Sequence, residues 1–297
     1  MPFLWVAFTL LGSAGQTARN AMQRGLTPQL GALGAALVRF LFGFPFALVF
    51  LGVVLAVTGA PLPTFGRAFA LWTLMGALTQ IGGTALMLQA MEQRSFVVVT
   101  AYLKTEPVLV ALMGLALLHD PLTPAMALAI TLAMMGVATI SVKPGTLTGG
   151  VRPALQGLAA AGLFAASAIG YRGAILSLHS GFVLASTVSL AAGLTLQTVL
   201  LLAWLLLFDR GILAALLRLW RPSLAAGFTG AAASQFWFLA FALATAASVR
   251  TLALVEVLFA QGVTRFVFKQ RTTAREALGI ALLLVGAVLI VWAHPRG

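Results

Sequence analysis

LTPAMALAITLAMMGVATI, residues 122–140, returns 150 residues later as TTAREALGIALLLVGAVLI, residues 272–290. Thr123/Thr273, Ala127/Ala277, Leu128/Leu278, Ile130/Ile280, Leu132/Leu282, Gly136/Gly286 and Ile140/Ile290 coincide without a gap, and the same offset lays Glu106 on Glu256. Leucine-rich helices match one another by composition alone. Composition does not, however, bring an acidic residue, a capping threonine and a small glycine into one register. Both copies also announce a helix start at the same point: Thr123-Pro124 reads as an N-cap followed by proline at the first helical position, and Thr273 with Glu276 reads as a capping box. The chain is therefore read as a duplication. Its halves are 1–142 and 153–297, and the Gly- and Pro-rich stretch KPGTLTGGVRP (143–153) supplies the joint over 143–152.

The surroundings of this repeat define the solvent. The 297 residues are 61% hydrophobic and only 8% charged, with a mean hydropathy of +1.05. A soluble domain carries about 25% charged residues, so these numbers describe an integral membrane protein. A spanning helix needs ~20 apolar residues, and the chain offers ten such runs, near 3–23, 30–57, 68–90, 95–118, 123–142, 153–177, 182–207, 223–243, 247–268 and 274–293. The alternating pattern of barrel strands is absent. The expected fold class is thus an all-α membrane protein of ten helices. The first run, MPFLWVAFTLLGSAG, lacks the basic start of a signal peptide and is expected to be retained.

Five spans per half is an odd number, so the second half inserts upside down relative to the first. Inverted-topology repeats around a midplane site are a hallmark of secondary transporters. The net charge of +12 is spread singly between apolar runs, as the positive-inside bias requires, and does not point to nucleic acid. Ten of the loop Lys and Arg residues lie on odd-numbered connections, against Arg67 and Arg296 elsewhere. That count places the odd connections in the cytoplasm and both termini outside. The connection DRGILAALLRLWRPS is expected to form an amphipathic helix in the membrane interface. With no cysteine, disulfides and thiolate metal sites are excluded.

A charge at the bilayer centre costs roughly 2.5–3.5 kcal/mol on insertion scales, so the intramembrane ionisable residues need partners or water. They are Arg19, Arg39, Lys104, Glu106, Arg172, Arg250, Glu256 and Arg265. In AYLKTEPVLVAL (101–112), Tyr102 and Glu106 share a helix face, whereas Lys104 points about 200° away from Glu106 and cannot pair with it. Pro107 frees the carbonyl of Leu103 and is expected to kink the helix. Two readings stand for this segment. Tyr102, Lys104, Glu106 and Pro107 line a substrate cavity, or Lys104 forms a structural ion pair with Glu256, the repeat mate of Glu106. Gln261 lies just over a turn beyond Glu256. Gln235 and Trp237 of the eighth span, set opposite Gln80 and Thr84 of the third, could orient a planar solute. Tyr171-Arg172 and Gln16, Arg19 and Asn20 hold equivalent places in the two halves. There an arginine either clasps a substrate carboxylate, snorkels to the interface or pairs structurally. No metal-ligand cluster or cofactor motif is present, and His119, His179 and His294 receive no role.

These features resemble the drug/metabolite transporter superfamily, in particular its ten-helix members built from two EamA-type repeats. The resemblance is carried by TEPVLVALMGLALLHDPLTPAMALAITLAMMGVATI (105–140) and by its second copy, VEVLFAQGVTRFVFKQRTTAREALGIALLLVGAVLI (255–290). The second copy departs in having Val257 in place of the proline and Lys-Gln-Arg in place of the turn acid. Within the superfamily the chain is most similar to the exporters of aromatic amino acids. The resemblance implies a monomeric exporter of the bacterial inner membrane that moves aromatic and other apolar amino acids by alternating access. It also implies termini in the cytoplasm, the opposite of the charge count. Protons are a possible coupling ion, with Glu106 or Glu256 as their carrier. Export of drugs or of nucleotide sugars is the alternative solute class. A membrane enzyme is disfavoured because six acidic residues form no catalytic pattern, and a channel because no filter-like loop interrupts a span.

Overall fold

The computed structural model describes residues 3–93, 99, 102–141, 151–259 and 273–293. Among these residues the chain is helical throughout, with no strand, and six helices are long and apolar enough to cross a bilayer. Two shorter apolar helices, Glu106–Leu118 and Pro124–Ile140, accompany them. The protein is a multi-pass membrane protein. Its elements are α1 (Leu4–Leu41), α2 (Phe44–Thr58), α3 (Arg67–Gln93), α4 (Glu106–Met113), α5 (Pro124–Ser141), α6 (Val151–Ser177), α7 (Phe182–Phe208), α8 (Arg210–Arg218), α9 (Trp220–Leu243), α10 (Ala246–Ala253) and α11 (Ala274–Trp292). A π-helical turn, Gly114–Leu118, continues α4.

Two expectations about the spans need correction. The connection between the first two was placed at GLTPQ, yet α1 runs helically through Pro28 and reverses at Gly31, whose φ of 69° and ψ of 172° suit glycine alone. The reversal is visible in one bond. Gln23 Nε2 donates to Ala35 O at 2.7 Å, although 12 residues of straight helix would hold the two about 18 Å apart. The fourth and ninth spans are also not continuous helices. The fourth breaks over Lys104 and Thr105 before α4 begins, and the ninth breaks over Leu254 and Val255 after α10 ends. The expected joint at 143–152 falls mainly outside the described residues, as does Gln261.

The chain divides into two compact units, and each draws on both sequence halves. The first comprises Met1–Leu10, Gly82–Ile169 and Ala244–Gly297. Its centre is the pair α5 and α11, which cross antiparallel with almost no side chain between them. A Cβ on Gly136 would lie 2.5 Å from the Leu283 nitrogen and 2.7 Å from the Gly279 oxygen. A Cβ on Gly286 would lie 2.6 Å from the Ala133 nitrogen and 2.8 Å from the Ala129 oxygen. Ala133 and Ala129 stand 150 residues before Leu283 and Gly279, so each helix receives the other in the same way. Ala133, Val137, Leu254 and Leu283 are buried around this crossing. Both expected caps form: Thr123 Oγ1 accepts from Met126 N at 3.2 Å, and Thr273 and Glu276 make the reciprocal capping box.

The second unit comprises Leu11–Ile81 and Gly170–Leu243, and in it α7 packs against α2 and α9. Small residues again permit close approach. A Cβ on Gly170 would stand 2.6 Å from the Gly76 nitrogen, and one on Gly227 would stand 2.5 Å from the Phe42 carbonyl carbon. The expected amphipathic helix is α8, capped by Asp209, whose carboxylate accepts from Ile212 N at 3.1 Å. Leu216 is buried on one face and Arg218 closes its last turn.

Two substitutions probe this architecture. Gly136→Ala pushes a methyl into the backbone of α11 and should cost ~1–3 kcal/mol by overpacking. Gly52→Ala, which meets nothing within 4 Å in α2, should instead be neutral or gain up to ~1 kcal/mol from helix propensity. Gly31→Ala meets no atom within 4 Å either, yet it should lose ~1–3 kcal/mol from backbone strain alone. Thermal unfolding of the three variants in one detergent checks the order.

Candidate functional site

In the first unit the two broken helices present their glutamates alike. Thr105 N donates to Tyr102 O at 3.0 Å and Val108 N to Thr105 O at 3.2 Å. At an offset of 150, Val255 N donates to Leu252 O at 3.1 Å and Leu258 N to Val255 O at 2.8 Å. The tight turn is thus the same in both halves. Pro107 is not its sole cause, because position 257 is valine and Val257 N is satisfied by Leu254 O at 3.1 Å. Pro107 sits in the first turn of α4, where its missing N–H would have had no helical partner in any case. Glu106 occupies that same turn, where the free N–H groups of a helix start favour a carboxylate.

Each glutamate is then bound by a cation from the other sequence half. Lys104 Nζ pairs with Glu256 Oε1, and Arg250 Nε lies 3.1 Å from Glu106 Oε1. Of the two readings open for this segment, the ion pair of Lys104 with Glu256 is therefore formed. The geometry follows from the helix argument: Lys104 cannot reach Glu106 along one chain, so both charges look to a neighbouring helix. The cations are not repeat mates, since Lys104 precedes its equivalent glutamate by two residues and Arg250 precedes Glu256 by six. Side chains in the first pair are 20% and 22% exposed, and in the second 19% and 18%. These pairs are shielded but not sealed. Tyr102 is half-buried against Gly157, where a Cβ would lie 2.8 Å from its own Cβ. Thr84 is buried in this unit, and Pro107 is buried beside Val110 and Ala111.

The second unit gathers a different cluster. Gln197 of α7 donates to Gln80 Oε1 at 2.7 Å and also hydrogen-bonds the hydroxyl of Tyr171. The Tyr171 ring is buried, clasped by Gly76 and Gly193, with its centroid 4.7 Å from that of Phe238. The Arg39 guanidinium lies 4.3 Å from the Phe40 ring centroid. Thr198 Oγ1 holds Phe40 O at 3.0 Å. Asn20 Oδ1 accepts from Arg19 Nη2 at 2.9 Å and from its Nε at 3.3 Å. Gln235 donates to Thr187 Oγ1 at 2.9 Å, and Trp237 is buried with its indole against Gly12.

Sequence reasoning set Gln235 and Trp237 opposite Gln80, whereas Gln80 accepts from Gln197 and Gln235 donates to Thr187. Arg172, a candidate for carboxylate binding, donates to the carbonyl of Phe241 and is buried. Gln197, Arg39 and Arg250 were not among the expected site residues. Gln197 had a signal, as the single amide of its span, and Arg250 had one as an intramembrane cation six residues from Glu256.

Residues 3–142 match the model of the EamA-like transporter family. No curated protein sequence matches the chain. One of 27 matching solved chains, a protein crystal structure, aligns at 14% identity with a TM-score of 0.70, covering 99% of this chain and 97% of that one. That likeness is one of fold.

The crossed pairs predict a specific mutational signature. Lys104→Met leaves Glu256 without its counter-charge and should cost ~1–3 kcal/mol, below the ~3–5 expected of a fully buried pair because both groups keep some water. Lys104→Met combined with Glu256→Met should recover most of that loss. A double-mutant cycle read by thermal unfolding measures the coupling, and strictly additive losses would contradict a direct pair.

Proposed function

We propose that the protein is a secondary transporter that exports small metabolites, amino acids with aromatic and other apolar side chains first among them. The observation that carries this reading is the pair of interrupted helices. At one 150-residue offset, each half breaks its helix by the same hydrogen bonds and presents a glutamate just beyond the break. Broken helices near the midplane are how carriers expose backbone and charge to a solute while the rest of the helix stays satisfied. The match of residues 3–142 to a transporter family supports the same function.

In this reading the chain is two five-helix repeats of inverted topology, 1–142 and 153–297, joined over 143–152, with ten spans in all. The reciprocal, antiparallel crossing of α5 and α11 supports the inversion, because equivalent helices that cross antiparallel belong to halves pointing opposite ways. The protein works by alternating access in a bacterial inner membrane. The turns at 104–105 and 254–255 act as hinges. The pairs Lys104–Glu256 and Arg250–Glu106 hold one conformation and separate in the other. Tyr102, Lys104, Glu106, Pro107 and Glu256 border the moving region, and a proton taken up by either glutamate would release its cation and couple export to a pH gradient.

Efflux from proteoliposomes loaded with phenylalanine, tryptophan, leucine and a polar amino acid tests the reading. Phenylalanine and tryptophan should leave several-fold faster than from protein-free vesicles, and the polar amino acid should lag. An inward proton gradient should accelerate efflux through the wild type and not through Glu106→Gln. Efflux equal to that of empty vesicles for every amino acid would remove the amino acid assignment. Efflux indifferent to pH would leave facilitated diffusion.

A further inference from the structure

In the second unit α7 and α9 pack on each other, and both are long and apolar enough to span the bilayer. Residues 209–219, which join them, therefore lie at one membrane surface. Most of this connection is α8, and its two sides differ. Leu216 is buried, and Ile212, one turn earlier on the same side, has its Cγ2 3.4 Å from where a Cβ on Gly34 would stand. That side rests on the arm of α1 that follows the reversal. Arg210, Ala214 and Arg218, spaced by four, form a stripe on the other side, and all three are exposed. At 100° per residue Arg218 points about 160° from Leu216 and Arg210 about 120°. Arg210 Nε donates to Leu206 O at 2.8 Å, so its stem lies along the end of α7. Arg221 follows in the first turn of α9, exposed, with its guanidinium 5.4 Å from the Trp220 ring centroid. Leu207, Phe208, Leu217 and Trp220 are exposed beside these arginines in the chain.

The segment brings one acid of its own. Asp209 is the only acidic residue between Asp120 and Glu256, and its carboxylate is occupied by the cap of α8 at Ile212 N. Three exposed guanidiniums thus stand at a membrane surface, interleaved with exposed leucine and aromatic side chains. A free anion would use the arginines and leave the apolar side chains in water, and so would a soluble acidic partner. A phospholipid uses both: its acyl chains cover Leu217 and Trp220, and its phosphate meets the guanidinium fork. We propose that α8 and the first turn of α9 form a docking surface for anionic phospholipid headgroups, with Arg210, Arg218 and Arg221 as the phosphate contacts. Tryptophan belongs at that level of the bilayer, and arginine beside it reaches the headgroups along an apolar stem. The contact also braces the fold, because α8 is tied to α7 through Asp209 and Arg210 and rests on α1 through Ile212. This inference is independent of the solute and of the direction of transport.

Native mass spectrometry of the purified full chain, titrated with phosphatidylglycerol and phosphatidylcholine of identical acyl chains, measures the preference. Each basic residue near an anionic lipid contributes about fivefold in affinity, so phosphatidylglycerol should bind at least about tenfold more tightly than phosphatidylcholine. Arg218→Gln combined with Arg221→Gln should remove most of that preference. Arg218→Lys combined with Arg221→Lys keeps the charge and should preserve most of it. Arg67→Gln, at an exposed cation that starts α3, should leave the preference unchanged. The comparison of the two lipids on the wild type stands even if a variant fails to fold. Equal binding of the two lipids would overturn the proposal, as would an unchanged preference in the folded double glutamine variant or an equal loss in Arg67→Gln. Displacement of phosphatidylglycerol by equimolar inorganic phosphate would overturn it in favour of a free-anion site. Tighter binding of a soluble glutamate-rich peptide than of phosphatidylglycerol would overturn it in favour of a protein partner.

Discussion

A charge inside hydrocarbon has to be answered by another charge, by a dipole or by water, and much of this molecule follows from how its charges are answered. In the first unit the answer is covalently remote and spatially direct. Lys104 reaches Glu256 and Arg250 reaches Glu106, so residues some 150 positions apart become neighbours. Neither cation meets its own half's glutamate within one helix, because Lys104 lies two residues from Glu106 and Arg250 six from Glu256, spacings that put side chains on different faces. The pairing therefore demands that the fourth span and the helix α10 lie against each other, and it demands that both open their backbone at the turn where the glutamates begin.

That demand is compatible with a stable fold because the neighbouring helices are locked by a different device. The crossing of α5 and α11 contributes no electrostatics. It uses Gly136, Gly279 and Gly286 to bring backbone onto backbone, an arrangement suited to a medium where apolar burial does not drive helices together. Dispersion contacts are dense at such a crossing, and Leu254 of the second broken turn packs into it. The glycine crossing and the ion-paired helix breaks of the unit are thus adjacent yet use different interactions.

The second unit solves the same problem without acids. Its buried polar side chains answer each other through amides, hydroxyls and carbonyls: Gln197 with Gln80 and Tyr171, Gln235 with Thr187, Ser186 with the Phe238 carbonyl, Arg172 with that of Phe241. Five of the six acids belong to the first unit, a property of how the folded units draw on the chain. In linear order, acids and bases show no such segregation.

The sequence by itself determined the solvent, the helical content, the 150-residue register and both threonine caps, because these rest on composition and on contacts within a few residues. It also bounded the ion pairing, since helix geometry forbids Lys104 from meeting Glu106. It did not locate the turn of α1, where the expected GLTPQ signal stays helical and the φ of Gly31 reverses the chain instead. Nor did it reveal the break at Leu254 and Val255, which lacks a proline and precedes the glutamate that meets Lys104. The choice of Glu256 for Lys104 and the recruitment of Gln197 belong to tertiary structure alone. Side chains at those positions interact across helices far apart in the chain, and only packing decides which faces are brought within reach.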